Sequence, residues 1–270
     1  MKLLTLNTHS LEEADMEAKQ EQFVSLIEKE KPEVFALQEV NQLMAFPAAR
    51  EIPDTYFPVQ DKIVLRQDNH ALAISRLLSK AGLKYYWAWL PIKVGYSKYD
   101  EGLAIFSGKP ILEAENLLVS DTNDYSNYRT RRILGIRNED GWFYDCHMSW
   151  WGDPDEPFAR QWKKLLEKLD GKTPVFLLGD FNGDAAIRHE NYDLIESTGF
   201  HDTYKLAGQK DEGWTVSGAI DGWKDQAPAA SRRIDQIWVD KKIPVKSSRV
   251  VFNGKNEPIV SDHYGIEIEI

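Results

Sequence analysis

Polar side chains recur at the ends of short apolar runs throughout this sequence of 270 residues. Asn7 follows the run 2–6, and Glu39 follows the run 34–37. Because strand ends converge at one rim of a sheet, residues that are distant in sequence can meet there. The other polar residues in such positions are Glu101, His147, Asp180, Asn182, Asp235, Asp262 and His263.

This set holds five carboxylates, two histidines and two asparagines, and it has no cysteine or serine nucleophile with a supporting triad. Oxygen-rich sites suit hard cations such as Mg²⁺ or Mn²⁺. A carboxylate can orient an attacking water or take its proton, and a metal ion can polarise a phosphoryl oxygen. Each motif alone is typical of a turn or a helix cap. Together they match metal-assisted phosphoester hydrolysis.

Composition and charge restrict the class of protein. The formal net charge of −10 argues against a surface that binds nucleic acid by neutralising its phosphates. The single cysteine, Cys146, excludes an internal disulfide framework and a cysteine-rich zinc site. No run approaches the roughly 20 apolar residues of a membrane span, and the N-terminal stretch lacks a secretory pattern. We therefore expect a cytoplasmic protein without membrane partners.

Strands outnumber long helices about two to one in the apolar pattern, and the helices are amphipathic. The strongest helical signal runs from Phe158 to Leu169, with Gly171 as its stop. A second helix is predicted after a cap at Asp68 and ends at Gly82, and a third covers 12–30. Residues 131–137 and 142–149 are expected to form a hairpin. Sheets packed together with helices outside are the expected architecture.

The ordered motifs resemble the endonuclease/exonuclease/phosphatase superfamily, also called the DNase I-like superfamily. The match extends from residue 4 to residue 263 in the family's order. The resemblance implies one domain over residues 1–270, an α/β (α+β) four-layer αββα sandwich of two mostly antiparallel sheets flanked by helices. The matching stretches are 4–7, 37–40, 101–105, 146–149, 178–182, 233–235 and 261–263.

The same resemblance assigns roles at the metal and at the water. It implies that Glu39 is the principal ligand of Mg²⁺ or Mn²⁺, with Asn7 and Asp262 beside the metal. Asp180 would orient or deprotonate the attacking water, and Asn182 would hold that water or a phosphoryl oxygen.

Two imidazole–carboxylate pairs complete the expected catalytic set. His263 would contact the phosphate, oriented by Asp235, and His147 would bind the phosphate from the other side, oriented by Glu101. A carboxylate beside an imidazole fixes its tautomer and favours its charged form. The four other histidines, His9, His70, His189 and His201, are expected not to be catalytic.

Aromatic and cationic residues are candidates for substrate contacts. Trp151, Trp214 and Trp223 could stack on a sugar ring or a nucleobase, and core or rim packing is an equally good reading. Arg129 or Arg131 could form a bidentate contact with a phosphate. A solvated loop accounts for this cluster of arginines equally well.

Further stretches resemble a bacterial branch that includes maltose 6'-phosphate phosphatases: 7–10, 38–42, 147–151, and 222–223 ahead of 232–235. This resemblance implies a sugar-phosphate phosphatase whose partner is a small phosphorylated substrate. A nuclease that hydrolyses phosphodiesters of nucleic acid is the alternative. A non-catalytic binding module on the same fold is the third reading.

Overall fold

The protein forms two β-sheets that face each other, as seen in a computed structural model that describes residues 1–218, 220 and 231–270. The first sheet has seven strands and the second has six. Most neighbouring strands are antiparallel, and parallel pairs occur at only a few positions in each sheet. The predicted arrangement of two mostly antiparallel sheets is confirmed.

The first sheet has β1 (Lys2–Asn7) near its middle, between a strand from the C-terminal end and β2 (Val34–Leu43), which follows the first helix. Parallel pairing of β1 with β2 places Asn7 beside Gln38. In spatial order the strands are β10 (Ala207–Lys210), β12 (Val245–Val251), β13 (Gly265–Glu269), β1 (Lys2–Asn7), β2 (Val34–Leu43), β4 (Tyr99–Ser107) and β3 (Tyr86–Gly95).

The second sheet contains the predicted hairpin and two strands that are buried at every residue. The hairpin strands pair around a turn between Asn138 and Gly141. In spatial order the strands are β5 (Glu113–Leu118), β6 (Arg132–Asn138), β7 (Gly141–His147), β8 (Val175–Asp180), β11 (Asp235–Val239) and β9 (His201–Asp202).

Helices cover the outer faces of both sheets and complete the four layers. Helices α1 (Met16–Glu30) and α2 (His70–Lys80) pack on the first sheet, and α3 (Phe158–Leu169) and α4 (Asn191–Ser197) pack on the second. A short helix, α5 (Thr203–Leu206), and a 3₁₀ turn at Ser10–Glu12 complete the helical elements of the described residues. Three apolar clusters fill the three interfaces between the layers, as a sandwich requires.

Two helix boundaries differ from the sequence prediction. The first helix begins at Met16 rather than residue 12, because residues 10–12 form a separate 3₁₀ turn. The second is capped by Asn69, whose side chain accepts from the Leu72 amide, and not by Asp68. Asp68 instead accepts from the backbone N–H of Leu43 at 2.9 Å, so it secures strand β2. Gly171 has the left-handed backbone expected of a helix stop, with φ of 75°.

Within the part of the chain that is described, every helix falls short of the length and apolarity that crossing a bilayer demands.

Candidate active site

Four strand ends meet at one rim of the sandwich and bring the predicted carboxylates together. Asp235 and Asp180 are directly paired on β11 and β8, and His147 on β7 lies beside Asp180. The first sheet contributes Asn7, whose Nδ2 donates to Glu39 Oε1 at 2.9 Å and to Asp180 Oδ2 at 3.2 Å. One amide therefore connects the two sheets across the site.

Glu39 reaches this rim through an irregularity in β2. The pairing of β2 with β4 shifts register between Leu37 and Val40, and Glu39 has a left-handed φ of 53°. Bulges commonly redirect a side chain beside an active site. Burial, together with the nearby Glu101 and Asp262 carboxylates, raises the pKa of Glu39. Three carboxylates therefore crowd this side of the rim.

Two of the three residues predicted to bind the metal offer oxygens that suit a divalent cation. These are the carboxylates of Glu39 and Asp262, and the second raises the pKa of the first. Asn7 turns its amide nitrogen toward Glu39, and its Oδ1 accepts from the backbone N–H of His9 at 3.2 Å. Hard oxygen donors around crowded carboxylates are what Mg²⁺ and Mn²⁺ bind. Asp262 also lies in a cluster with His9 and Glu13 whose ligand atoms all fall within 4.8 Å of one another.

His263 and Asp235 form the predicted imidazole–carboxylate pair. The Nδ1 of His263 lies 3.0 Å from Asp235 Oδ2, and its Nε2 lies 4.0 Å from Asp180 Oδ2. Burial alone would lower the pKa of His263, but the Asp235 carboxylate outweighs it and raises that pKa to about 10. The imidazole is therefore charged at neutral pH.

Asp180 sits between both histidines and is itself buried. Burial, and then the negative charge of Asp235, raise the pKa of Asp180 to about 7. The backbone N–H of Asn182 donates to Asp180 Oδ1 at 2.8 Å, and Asn182 Nδ2 donates to the Met148 carbonyl at 3.0 Å. A carboxylate with such a pKa can take a proton from water near neutral pH.

His147 does not form the expected pair with Glu101. Its Nε2 lies 3.8 Å from Asp180 Oδ2, whereas Glu101 lies against Lys93, with Oε1 3.1 Å from Nζ. Burial, and then the cations Arg131 and Lys93, hold the pKa of His147 well below its usual range. The pairing prediction was wrong because a lysine, which the sequence motifs did not single out, neutralises Glu101.

These groups line a recess of about 150 Å³ at the rim. Sequence reasoning missed three of its residues: Lys93, Tyr96 and Trp150. Lys93 and Tyr96 precede the Glu101 motif within one hairpin, and strand alternation opposite Glu101 was the signal that could have identified Lys93. The lining residues are Glu39, Lys93, Tyr96, Glu101, Arg131, His147, Trp150, Asp180, Asn182 and His263.

The predicted substrate contacts divide between the recess and other places. Arg131 lines the recess, but Arg129 is held by Asp153, with Nε 3.0 Å from Oδ2. Trp151 packs against the core beneath the second sheet, and its neighbour Trp150 takes the place in the recess.

The remaining predicted tryptophans lie elsewhere. Trp214 lines a separate groove of about 290 Å³ that also includes Tyr264, the residue after His263. Trp223 lies outside the described residues.

Comparison with known proteins gives both a family match and a set of similar structures. The sequence profile described as "Endonuclease/Exonuclease/phosphatase family" matches residues 4–263. A search of curated proteins found no match.

Among solved structures, an endonuclease/exonuclease/phosphatase family protein from Leptotrichia buccalis is 32% identical, with a TM-score of 0.85, over 100% of this chain and 99% of that one. A 3' phosphatase from Neisseria bound to a product DNA hairpin is 17% identical, with a TM-score of 0.64, over 100% and 99% of the two chains. A mannosyl-6-phosphatase from Bacteroides thetaiotaomicron is 16% identical, with a TM-score of 0.61, over 100% and 98%.

Proposed function

The chain belongs to the endonuclease/exonuclease/phosphatase family, and we propose that within it the protein is a phosphatase that hydrolyses a small sugar phosphate with the help of Mg²⁺ or Mn²⁺. Enzymes of this family are hydrolases of phosphoesters and generally depend on a divalent metal. The proposal concerns the choice of substrate, the metal and the residue roles.

The observation that carries the proposal is the small recess itself. It holds about 150 Å³, and its walls place Glu39, Asp180, His147 and His263 around one volume. Such a space suits a phosphoryl group and the atoms next to it. The net charge of −10 also disfavours long contacts with a nucleic-acid backbone.

The proposed roles at the metal follow the donor set. Glu39, Asn7 and Asp262 would hold the divalent ion, which polarises a phosphoryl oxygen and stabilises the leaving oxygen. The side-chain amide of Asn7 donates to Glu39 and also to Asp180 Oδ2, so it connects a proposed metal ligand with the proposed base.

The proposed chemistry starts with Asp180, which takes the proton of the attacking water. Asn182 holds the water or a non-bridging oxygen. His263, charged because of Asp235, stabilises the negative charge that develops on the phosphoryl oxygens. His147 contacts the phosphoryl group from the opposite wall as a neutral donor, and Glu101 acts by holding Lys93.

The sugar assignment rests on the resemblance to maltose 6'-phosphate phosphatases and on the aromatic residues of the separate groove. Trp214 and Tyr264, the residue after His263, line that groove, where a sugar ring could stack. The structurally similar mannosyl-6-phosphatase has a name that specifies the same chemical class, although that likeness by itself shows the fold alone. A cytoplasmic location would match such a substrate.

A phosphate-release screen tests the proposal. The substrates are maltose 6'-phosphate, mannose 6-phosphate, nucleotides, a phosphoinositide and a DNA hairpin with a 3' phosphate, each with Mg²⁺, with Mn²⁺ or with EDTA. We expect metal-dependent release that is highest on the sugar phosphates. Higher phosphate release from the DNA hairpin would replace the sugar assignment with a 3' phosphatase activity, the activity named for the Neisseria structure. Cleavage of the hairpin strand itself, followed on a gel, would favour the nuclease alternative.

A single substitution separates the metal role from the rest. Glu39→Gln should raise the Mg²⁺ concentration at half-maximal activity, because it removes the charge of the principal ligand. Glu33→Gln is the matched control, because Glu33 immediately precedes β2 and does not line the recess. A metal titration of Glu39→Gln that matches the wild type would assign the ion to other residues.

A further inference from the structure

Lys93 forms one cationic side of the recess and is fixed there by Glu101. The two residues are direct partners across β3 and β4, and Lys93 is only 7% exposed. The register of β3 shifts between Pro91 and Lys93, which turns the lysine toward the rim. A Cβ at Gly95 would lie 2.6 Å from Glu101 Oε2, so glycine leaves the space for this carboxylate.

Arg131 forms the second cationic side and lacks a carboxylate partner. It is 2% exposed, and its guanidinium donates to the backbone carbonyls of Tyr128, at 2.7 Å, and of Thr130, at 3.3 Å. Across residues 1–218, 220 and 231–270, no ion pair to Arg131 is found, and its Nε has no hydrogen-bond partner. Charged groups this deeply buried are normally paired.

Trp150 packs beside Arg131 in the same lining. Its indole Nε1 is shielded from solvent and lacks a hydrogen-bond partner within the described part of the chain, so the ring and not this donor faces the recess. The Arg131 guanidinium carbon lies 5.9 Å from the centroid of the Trp150 ring. The ring thus covers one side of the guanidinium, and the positive charge of Arg131 is left at the recess.

We propose that Lys93 and Arg131 bind the outer oxygens of a terminal phosphate dianion and thereby make the site selective for phosphate monoesters over diesters. The proposal rests on the proposed function and identifies the chemical class that the recess accepts. Asp180, His263 and the metal ligands act on either kind of ester. The wall of Lys93 and Arg131 distinguishes the two.

The chemistry of the two ester classes explains the selectivity. A monoester carries nearly two charges at neutral pH, since its second pKa is about 6, and it presents three free oxygens. A diester has one charge and places a carbon substituent where the third oxygen would lie. That substituent would take away the acceptor for the N–H groups of Lys93 and Arg131 that their protein partners leave unused, which is unfavourable in a desolvated site.

The test compares two aryl esters in the presence of Mg²⁺: p-nitrophenyl phosphate as the monoester and bis(p-nitrophenyl) phosphate as the diester. The variants are Arg131→Met and the double substitution Lys93→Met with Glu101→Gln, which leaves no buried charge alone. We expect kcat/KM for the monoester to fall about ten- to a hundredfold, the range for losing a charge-assisted hydrogen bond. The diester rate should change far less.

Arg132→Met is the matched control. Arg132 is the next residue, it does not line the recess, and its guanidinium donates to Asn116 Oδ1 at 2.7 Å. It should leave the ratio of monoester to diester activity unchanged. If Arg131→Met does not fold, Arg131→Lys keeps the charge but loses the planar fork, and a reduced ratio in that variant supports the proposal.

Two results would overturn the inference. One is a parallel loss of monoester and diester activity, which would make Lys93 and Arg131 general supports of the site. The other is a wild-type ratio in every folded variant.

Inorganic phosphate separates this inference from the proposed function. If the wild type hydrolyses neither ester with any metal, the proposed function fails. Calorimetric binding of phosphate to the metal-loaded wild type and Arg131→Met then decides the inference alone. Binding that weakens about tenfold or more in the variant supports a dianion site. Equal binding overturns it.

Discussion

The two walls of the recess each present a histidine to Asp180, yet the two imidazoles differ in charge. The Nε2 atoms of His147 and His263 lie 3.8 Å and 4.0 Å from the same oxygen, Asp180 Oδ2. Behind His263 stands the buried Asp235 carboxylate, which raises the pKa of that imidazole to about 10. Burial and the cations Arg131 and Lys93 lower the pKa of His147 well below its usual range.

The difference teaches that the residues behind an imidazole, and not its distance from the reacting centre, decide what it can do. On one wall the positive charge belongs to the His263 imidazole, and that charge can be lost as pH rises. The opposite wall brings positive charge from Lys93 and Arg131, and its histidine is a neutral hydrogen-bonding group. A phosphoryl group between the walls would meet cations on both sides.

Removing the group shared by both walls should have the largest effect. Asp180→Asn keeps the shape of the side chain but removes the proposed base, so we expect turnover to fall by roughly 10²–10⁴-fold. Steady-state kinetics with p-nitrophenyl phosphate measures the loss, and a thermal melt confirms the fold. Turnover near that of the wild type would remove Asp180 from the chemistry and leave the comparison without its centre.

Asp235→Asn should come next, because it converts the wall of His263 into one resembling the wall of His147. Without the carboxylate the pKa of His263 falls, so the imidazole loses its charge at neutral pH. We expect a loss of about a hundredfold in kcat/KM, within the range for a positioned acid–base group. The pH profile gives the sharper readout.

The sign of that pH effect follows from the raised pKa. Wild-type activity that depends on charged His263 persists through neutral pH and is lost as pH rises through about 10. In Asp235→Asn this alkaline decline should begin at lower pH. An alkaline limb that does not move would show that the charge of His263 is not required.

His147→Gln should have a smaller effect than either change. Glutamine keeps a neutral hydrogen-bonding group near the same place, so we expect a loss of about tenfold, equivalent to one neutral hydrogen bond. The alkaline limb of the pH profile should stay where it is in the wild type. A shift of that limb in His147→Gln would mean that both histidines are charged, and the contrast between the walls would be wrong.

The smallest effect on activity is expected at a third imidazole, that of His70, the first residue of helix α2, which contacts Gln20 of α1. It is buried, Gln20 Nε2 lies 3.0 Å from its Nδ1, and burial lowers its pKa to about 4. The folded protein therefore binds this proton less well than the unfolded chain, whose histidine pKa is about 6.5. Stability from this group is present above pH 6.5 and is lost as pH falls from about 6.5 to about 4.

Chemical denaturation across that pH window tests the linkage. The wild type should lose up to about 3 kcal/mol more unfolding free energy than His70→Gln between pH 7 and pH 4. His189→Gln is the control, because the His189 side chain is 96% exposed. Turnover of His70→Gln at pH 7 should match the wild type. Identical pH dependence of stability in the wild type and His70→Gln would contradict the assignment.

The sequence predicted the layers and the separate strand ends well, because both follow from local patterns. The apolar runs before Asn7 and Asp180 become buried strands that end at the rim, and the run after Asp235 becomes a buried strand that begins there. The helix at 158–169 is predicted to the residue by its apolar spacing.

Partner choice inside the recess could not be predicted in the same way. Glu101 lies near His147 in the linear order of motifs, but the shift in β3 places Lys93 opposite it. Trp150 and Trp151 are adjacent in sequence, and only the chain path after β7 decides which one faces the recess. Such outcomes depend on register shifts and on loops, which apolar spacing does not encode.

The left-handed backbone at Glu39 has a consequence for how this sequence can change. A non-glycine residue at φ 53° is strained by roughly 1–3 kcal/mol, and crowded carboxylates add repulsion at the same place. Replacement by glycine would relieve both penalties while destroying the proposed metal ligand. Screening random variants for heat resistance alone would therefore favour inactive proteins at this position, and only a screen that also demands turnover would retain the glutamate.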